Sequence, residues 1–192
     1  DIVATPTGFL STVLDANGNQ TATLVASGSN RRAVTIDEIP KNLQHAFVAI
    51  EDERFYEHNG IDVTGIIRAG VKGVASGFHF SEGASTITQQ LLKNTVFTSW
   101  TSESSMADKF ERKFQEQYLA LQLEKVVDKD WILENYLNAI NLGQNTLGVG
   151  VASERYFGKD VSDLTLSECA VLAAITQNPS KYNPITLSLI HI

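Results

Sequence analysis

A mainly α fold carrying a short N-terminal β-hairpin is what this chain of 192 residues predicts. Three observations predict it. Apolar residues recur at spacings of three and four over most of the chain past Val34. Hydroxyl-x-x-carboxamide or hydroxyl-x-x-carboxylate signatures, Thr86 with Gln89 and Thr165 with Glu168, mark two helix starts. Only the first 25 residues alternate in the manner of strands. A length of 192 suits one domain with one core, since chains of this size bury roughly 70% of their unfolded surface.

The elements follow in order. Residues 9–14 and 21–25 are β-prone runs flanking Asp15-Ala16-Asn17-Gly18-Asn19, where Asn-Gly is expected to supply the positive φ angles of a tight reversal. Residues 27–30 form a polar linker, so 1–33 are assigned to hairpin and linker and the main domain to 34–186. From Pro40, a favourable first helical residue, Leu43, Ala46, Phe47 and Ile50 are expected on one buried face, with Glu51 at its edge. The Thr86 capping box opens a helix through Leu91 and Leu92 to Asn94. Residues 95–108 are rich in Ser and Thr yet contain Val96, Phe97, Trp100 and Met106, and are expected to be mobile. Helical periodicity returns over 110–127, 131–140 and 166–175. Residues 187–192 lack period and cap and are assigned to a non-native tail, the natural chain being cut near Thr186; His191 then carries no meaning.

Composition excludes several classes. Fifteen basic against 22 acidic residues give a formal charge of −7 and a pI near 5.0, which argues against nucleic acid and against adhesion of the whole surface to anionic lipid. An anionic ligand therefore needs a local cationic cluster. The single Cys169 follows Leu166 within an apolar stretch and reads as a small core residue. No run of 18 apolar residues occurs, and the uncharged residues 139–153 are broken by Asn, Gln and Gly. A leader or anchor is expected to lie outside this sequence.

Two acids stand out. Glu116 shares a helical face with Ala120, Leu123 and Val127, a stripe that should be buried, and Arg112 and Lys113 lie on its side. A helix salt bridge explains Glu116 taken alone. Glu51, within Glu51-Asp52-Glu53-Arg54-Phe55-Tyr56-Glu57-His58-Asn59-Gly60, could equally be part of a solvated acidic helix end. Together they match the carboxylate pair used for chemistry at a sugar carbon. Phe55 can pack the turn, His58 can hold a neighbouring carboxylate, and Gly60 lets the chain turn away. Residues 85–90, following Gly83-Ala84, are expected to offer free backbone amides, hydroxyls and carboxamides, with Lys93 one or two turns on, as fixed donors for phosphate. Simple N-capping explains Thr86 and Gln89 as well. No Gly-Lys-Ser or Gly-Lys-Thr occurs, so a nucleotide loop is excluded, and His45, His58 and His79 lack metal-ligand spacing.

These segments, with Ile132-Leu133-Glu134-Asn135-Tyr136-Leu137-Asn138 and Arg155-Tyr156-Phe157-Gly158-Lys159, resemble glycosyltransferase family 51, the peptidoglycan transglycosylase domain of class A penicillin-binding proteins and of monofunctional transglycosylases. The likeness runs over residues 36–184. It implies a lysozyme-like transglycosylase fold and polymerisation of lipid II, the disaccharide-peptide on undecaprenyl diphosphate, with inversion. It implies Glu51 as general base and Glu116 as the second acid, positioning the diphosphate directly or through Mg2+ or another divalent cation, without an organic cofactor. Asp52, Phe55, His58, Ser85, Thr86, Gln89, Gln90, Lys93, Asn94, Arg112 and Lys113 are the implied substrate and diphosphate ligands. The implied setting is the outer face of the cytoplasmic membrane, with the 95–108 segment touching the bilayer, other cell-wall synthesis proteins as partners, and no nucleic acid. Ala84 departs from a glycine of the family pattern, and no Ser-x-x-Lys of a transpeptidase occurs. A lysozyme-like lytic enzyme and a non-catalytic glycan-binding module are the competing readings; the cationic clusters favour synthesis, since cleavage needs no diphosphate cradle.

Overall fold

The computed structural model describes residues 4–26, 28–75, 84–97 and 105–185. Gly83, His79, Trp100 and the tail at 187–192 lie outside the described residues.

Strands β1 (Ser11–Leu14) and β2 (Gln20–Leu24) pair antiparallel, Ser11 opposite Leu24 and Thr12 opposite Thr23, with an irregularity after Val13. The reversal is longer than a two-residue turn. Only Gly18 takes positive φ (+84°), not Asn17, because Asp15 organises the loop: its Oδ1 accepts from the backbone N–H groups of Asn17 (2.8 Å) and Asn19 (2.9 Å). These bonds hold the Asp15 carboxyl below its usual range, the Asn19 side chain contributing most.

Past the hairpin the chain is stitched to the helical body by side-chain amides. Asn138 accepts from Val34 N–H (3.0 Å) and donates to Val34 C=O (2.8 Å), while Gln44 donates to the carbonyls of Ile36 (3.0 Å) and Ile39 (2.8 Å). The body has, among the described residues, seven α-helices: α1 (Lys41–Glu51), α2 (Val63–Ala75), α3 (Ile87–Thr95), α4 (Met106–Leu123), α5 (Lys129–Ala139), α6 (Val149–Phe157) and α7 (Leu166–Ile175). Helix α5 is buried almost all round, through Ile132, Leu133, Tyr136 and Leu137, and packs on α3 and α6. Helix α3 also packs on α4, and α1 on α7. Each fully buried Leu or Ile in this core contributes about 1.5–3 kcal/mol.

Both capping boxes are present, and α7 begins and ends where its spacing predicts. Three expectations are corrected. The buried face of α1 is Leu43, Gln44, Phe47 and Val48; Ala46 is half-buried and Ile50 is exposed, turned toward a cavity. Helix α4 starts at Met106 rather than near 110, because the Ser105 hydroxyl caps it by accepting from Ala107 N–H (3.1 Å), and it stops at Leu123, leaving Val127 in the next turn. Helices α2 and α6 have no counterpart in the sequence expectations. Gly65, Gly70 and Gly73 dilute the periodicity of α2, which Asp62 opens by accepting from Gly65 N–H (2.9 Å). Helix α6 lies between Gly148 (φ +81°) and Gly158 (φ +64°) and begins inside the uncharged residues 139–153. No helix among the described residues is long and apolar enough to cross a membrane. Cys169 is fully buried.

Candidate active site

Glu51 is the last residue of α1 and half-buried. Its two oxygens meet neutral donors from distant helices: Oε2 accepts from Gln90 Nε2 (2.8 Å) on α3, and Oε1 accepts from Thr176 Oγ1 at the end of α7. Tyr136 reaches the Gln90 carboxamide oxygen at 3.5 Å, orienting the amide so that its NH2 faces Glu51. Burial, with the nearby Glu51 and Asp52 charges, raises the Tyr136 phenol well above its usual value, so it stays a neutral donor. Glu51 lines a cavity of about 200 Å³ with Asp52, Glu53, Asp62, Arg68, Ser85 and Thr86.

Glu116 is different. It is fully buried on α4, and both oxygens face cations: Arg112 on Oε1, one turn back, and Lys113 Nζ on Oε2 at 3.0 Å. Lys113 also donates to Ser85 Oγ (2.6 Å), tying α4 to the approach to α3. Glu116 lines a second cavity, of about 290 Å³, with Ser85, Gln89, Gln90, Lys93, Arg112 and Lys113. The two acids thus occupy adjoining cavities that share Ser85, and Gln90 spans them by lining one and bonding the acid of the other.

The start of α3 departs furthest from expectation. Its amides at 86, 87, 89 and 90 are already bonded within the protein. Ile87 N–H donates to Asp52 Oδ2 (3.0 Å), Gln89 N–H to Thr86 Oγ1 (3.2 Å), Thr86 N–H to Gln89 Oε1 (3.1 Å) and Gln90 N–H to Thr86 C=O (3.0 Å). A carboxylate already sits on the helix N-terminus, where the dipole favours one. Gln89 Nε2 is buried and finds no hydrogen-bond partner among the described residues, although the residue is only 1% exposed and lines the second cavity.

Asp52, Phe55 and His58 turn inward. His58 Nε2 lies 2.9 and 3.0 Å from the Asp52 oxygens, so the carboxylate the imidazole holds is Asp52, not Glu51. Phe55 is fully buried under Lys129 Nζ (4.5 Å from the ring centroid), which corrects its expectation as a substrate contact: no ring face is left for a ligand. Thr86 donates its hydroxyl to Gly60 C=O (2.7 Å), and a Cβ at Gly60 would meet Ala120 C=O at 2.6 Å, so a glycine is required where loop and α4 touch. Lys129 bonds His58 C=O (2.7 Å) and Glu124 (2.6 Å), which takes the Thr88 hydroxyl (2.5 Å). The 52–60 loop is therefore clamped to α3, α4 and α5, and it carries Glu51 at its entrance. Asn94, in the last turn of α3, lines neither cavity.

Sequence reasoning missed Thr176, Tyr136, and the Arg54–Asp62 and Arg68–Glu53 (2.5 Å) pairs that tie the 52–60 loop to α2 and its approach. Thr176 stands 125 residues from its partner and gives no local signal. Among the described residues no group of three His, Cys, Asp or Glu could hold a metal ion, and Glu116, the only acid lining its cavity, already has two cations on it.

The family model described as "Transglycosylase" matches residues 17–189. The chain is 50% identical over 165 residues to Penicillin-binding protein 1A of Clostridium perfringens (strain 13 / Type A), covering 84% of this chain and 23% of that protein. It is 47% identical over 176 residues to Penicillin-binding protein 1F of Bacillus subtilis (strain 168), covering 91% and 23%, and 48% identical over 159 residues to Penicillin-binding protein 1A of Escherichia coli (strain K12), covering 82% and 18%. The chain spans less than a quarter of the length of these relatives.

Proposed function

We propose that this chain, which belongs to the transglycosylase family, is a peptidoglycan glycosyltransferase that polymerises lipid II. Glu51 takes the proton of the acceptor sugar's 4-hydroxyl as that oxygen attacks the anomeric carbon of the growing glycan strand. The bond from that carbon to the diphosphate breaks, its configuration inverts, and undecaprenyl diphosphate leaves. A base must be ionised to accept a proton, and the two donors on Glu51 are neutral, so neither forms an ion pair that would tie it up.

The observation that carries this reading is the second cavity: Lys93, Arg112 and Lys113 with a buried carboxamide NH2 that has no acceptor among the described residues. An unpaired buried donor costs about 1–3 kcal/mol, a cost that a diphosphate oxygen at Gln89 Nε2 would cancel. Cleavage by water has no use for such a pocket. Glu116 holds the Arg112 and Lys113 head groups in place beside the departing anion. Among the described residues Glu116 is the one carboxylate lining this cavity, and Arg112 and Lys113 already meet both of its oxygens.

The membrane surface is the proposed workplace. Met106, Phe110, Phe114 and Tyr118 recur every four residues on one side of α4 and are each more than 60% exposed, an apolar stripe suited to the interface where a lipid tail enters. Replacing Phe110 and Phe114 by Ser should lower liposome binding several-fold; unchanged cosedimentation would remove the stripe from this role. The reaction itself is tested with the purified chain and labelled lipid II in detergent. Polymer and free undecaprenyl diphosphate are expected, whereas shortening of preformed peptidoglycan with no polymer would favour a lytic enzyme.

A further inference from the structure

We propose that Thr176 is a positioning residue for Glu51, a single hydroxyl able to serve the carboxylate both before and after it takes up a proton. The inference rests on Glu51 being the base.

Thr176 caps the C-terminus of α7, is half-buried, and its Oγ1 is within hydrogen-bond reach of two acceptors, Glu51 Oε1 and Ala173 C=O (2.8 Å). One hydroxyl has one hydrogen and two lone pairs, so it can donate to only one of them at a time. While Glu51 is ionised, the hydrogen lies on the Glu51 side, because a donor to a charged oxygen is worth more than one to a carbonyl. Once the acceptor hydroxyl's proton is on Oε1, rotation of the new O–H about its C–O bond turns it toward Thr176 Oγ1, and the Thr176 hydrogen swings to Ala173 C=O. No covalent bond to Thr176 is made or broken; it changes from donor to acceptor. Gln90 cannot make this change, since its Nε2 only donates. The two contacts therefore differ in kind: Gln90 fixes the direction of the carboxylate, and Thr176 keeps that direction through the proton transfer. Its neighbours add to the precision. Ile175, Leu172 and Ala173 are buried in the core and α7 packs along α1, so the hydroxyl is delivered from a rigid support rather than a loop.

The test uses Thr176→Val, which keeps the shape and loses the hydroxyl, and Thr176→Ser, which keeps the hydroxyl. With lipid II as substrate, Thr176→Val should lower kcat about tenfold at a KM within about twofold, the size expected for one hydrogen bond to a charged group. Thr176→Ser should stay close to the parental kcat. A structural role alone would not separate kcat from KM or distinguish Ser from Val. Parental turnover by Thr176→Val in a series where Glu51→Gln is inactive overturns the role of Thr176 alone; turnover by Glu51→Gln overturns the reading of Glu51 beneath it. A Thr176→Ser chain as slow as Thr176→Val also overturns it. Thermal unfolding checks the contact without turnover: Thr176→Val should lower Tm more in the parental chain than in a Glu51→Ala background, and equal losses would contradict the pairing.

Discussion

The two acids of this molecule sit in adjoining cavities and are held in opposite ways. Glu51 ends a helix, is half-buried, and is met by a carboxamide and a hydroxyl, both neutral. Glu116 lies within a helix, is sealed from solvent, and is met by a guanidinium and an ammonium. Each oxygen of either acid accepts one bond, but neutral donors leave the carboxylate's charge uncompensated, whereas two cations balance it. Carboxylates on neighbouring walls can therefore have separate roles. Environment, more than residue type, suits one to proton transfer and the other to holding positive charge in place.

The largest effect is expected at Glu51. Glu51→Gln keeps size and can still bond Gln90, yet has no basic oxygen, so turnover of lipid II should fall by about 10²–10⁴-fold, the span of general base catalysis, with little change in Tm. Retained turnover in a steady-state assay would place the base elsewhere. A smaller effect is expected at Gln89, in the other cavity. Gln89→Glu keeps the reciprocal cap with Thr86, since a carboxylate serves at that position too, but replaces the unpartnered NH2 by a negative oxygen. Pyrophosphate affinity, measured by calorimetry, should weaken at least about tenfold; undiminished affinity would show that the orphan donor does not face the anion.

The smallest effect lies away from both cavities and shows what an ordinary structural acid does. Glu168 is held at about 2 by Lys159 first, then by the Thr165 backbone and hydroxyl. Because its folded value is depressed below the usual 4.5, its contribution to stability is present above that value and fades as pH falls toward 2. The Tm difference between the parental chain and Glu168→Gln should therefore shrink across that window, and a difference independent of pH would contradict the pairing. Glu168 is half-buried and its partner Lys159 is more exposed, so solvent screens the pair and the effect is small.

What is legible in the sequence is local. The capping boxes at Thr86 and Thr165 are complete within four residues, and the burial of Glu116 follows from Ala120 and Leu123 on its own helix. What stays hidden is long-range or glycine-diluted. Asp52 reaches Ile87 N–H across 35 residues, and this occupies the helix start expected to offer free amides. Thr176 meets Glu51 across 125 residues. Helices α2 and α6 escape notice because glycines inside the one and at both ends of the other interrupt the apolar period on which helix recognition depends. The hairpin falls where its β-prone runs place it, but its loop differs because Asp15, a side chain, organises the reversal in place of Asn-Gly.

Titration of inorganic pyrophosphate into the parental chain, Glu51→Gln and Glu116→Gln separates the roles of the two acids. If Glu51 transfers a proton and Glu116 only holds cations, Glu51→Gln keeps a Kd within about twofold of the parental value. Glu116→Gln then binds about tenfold tighter, since neutralising that acid leaves the charge of Arg112 and Lys113 less compensated. A Kd that shifts for Glu51→Gln as much as for Glu116→Gln would contradict this division.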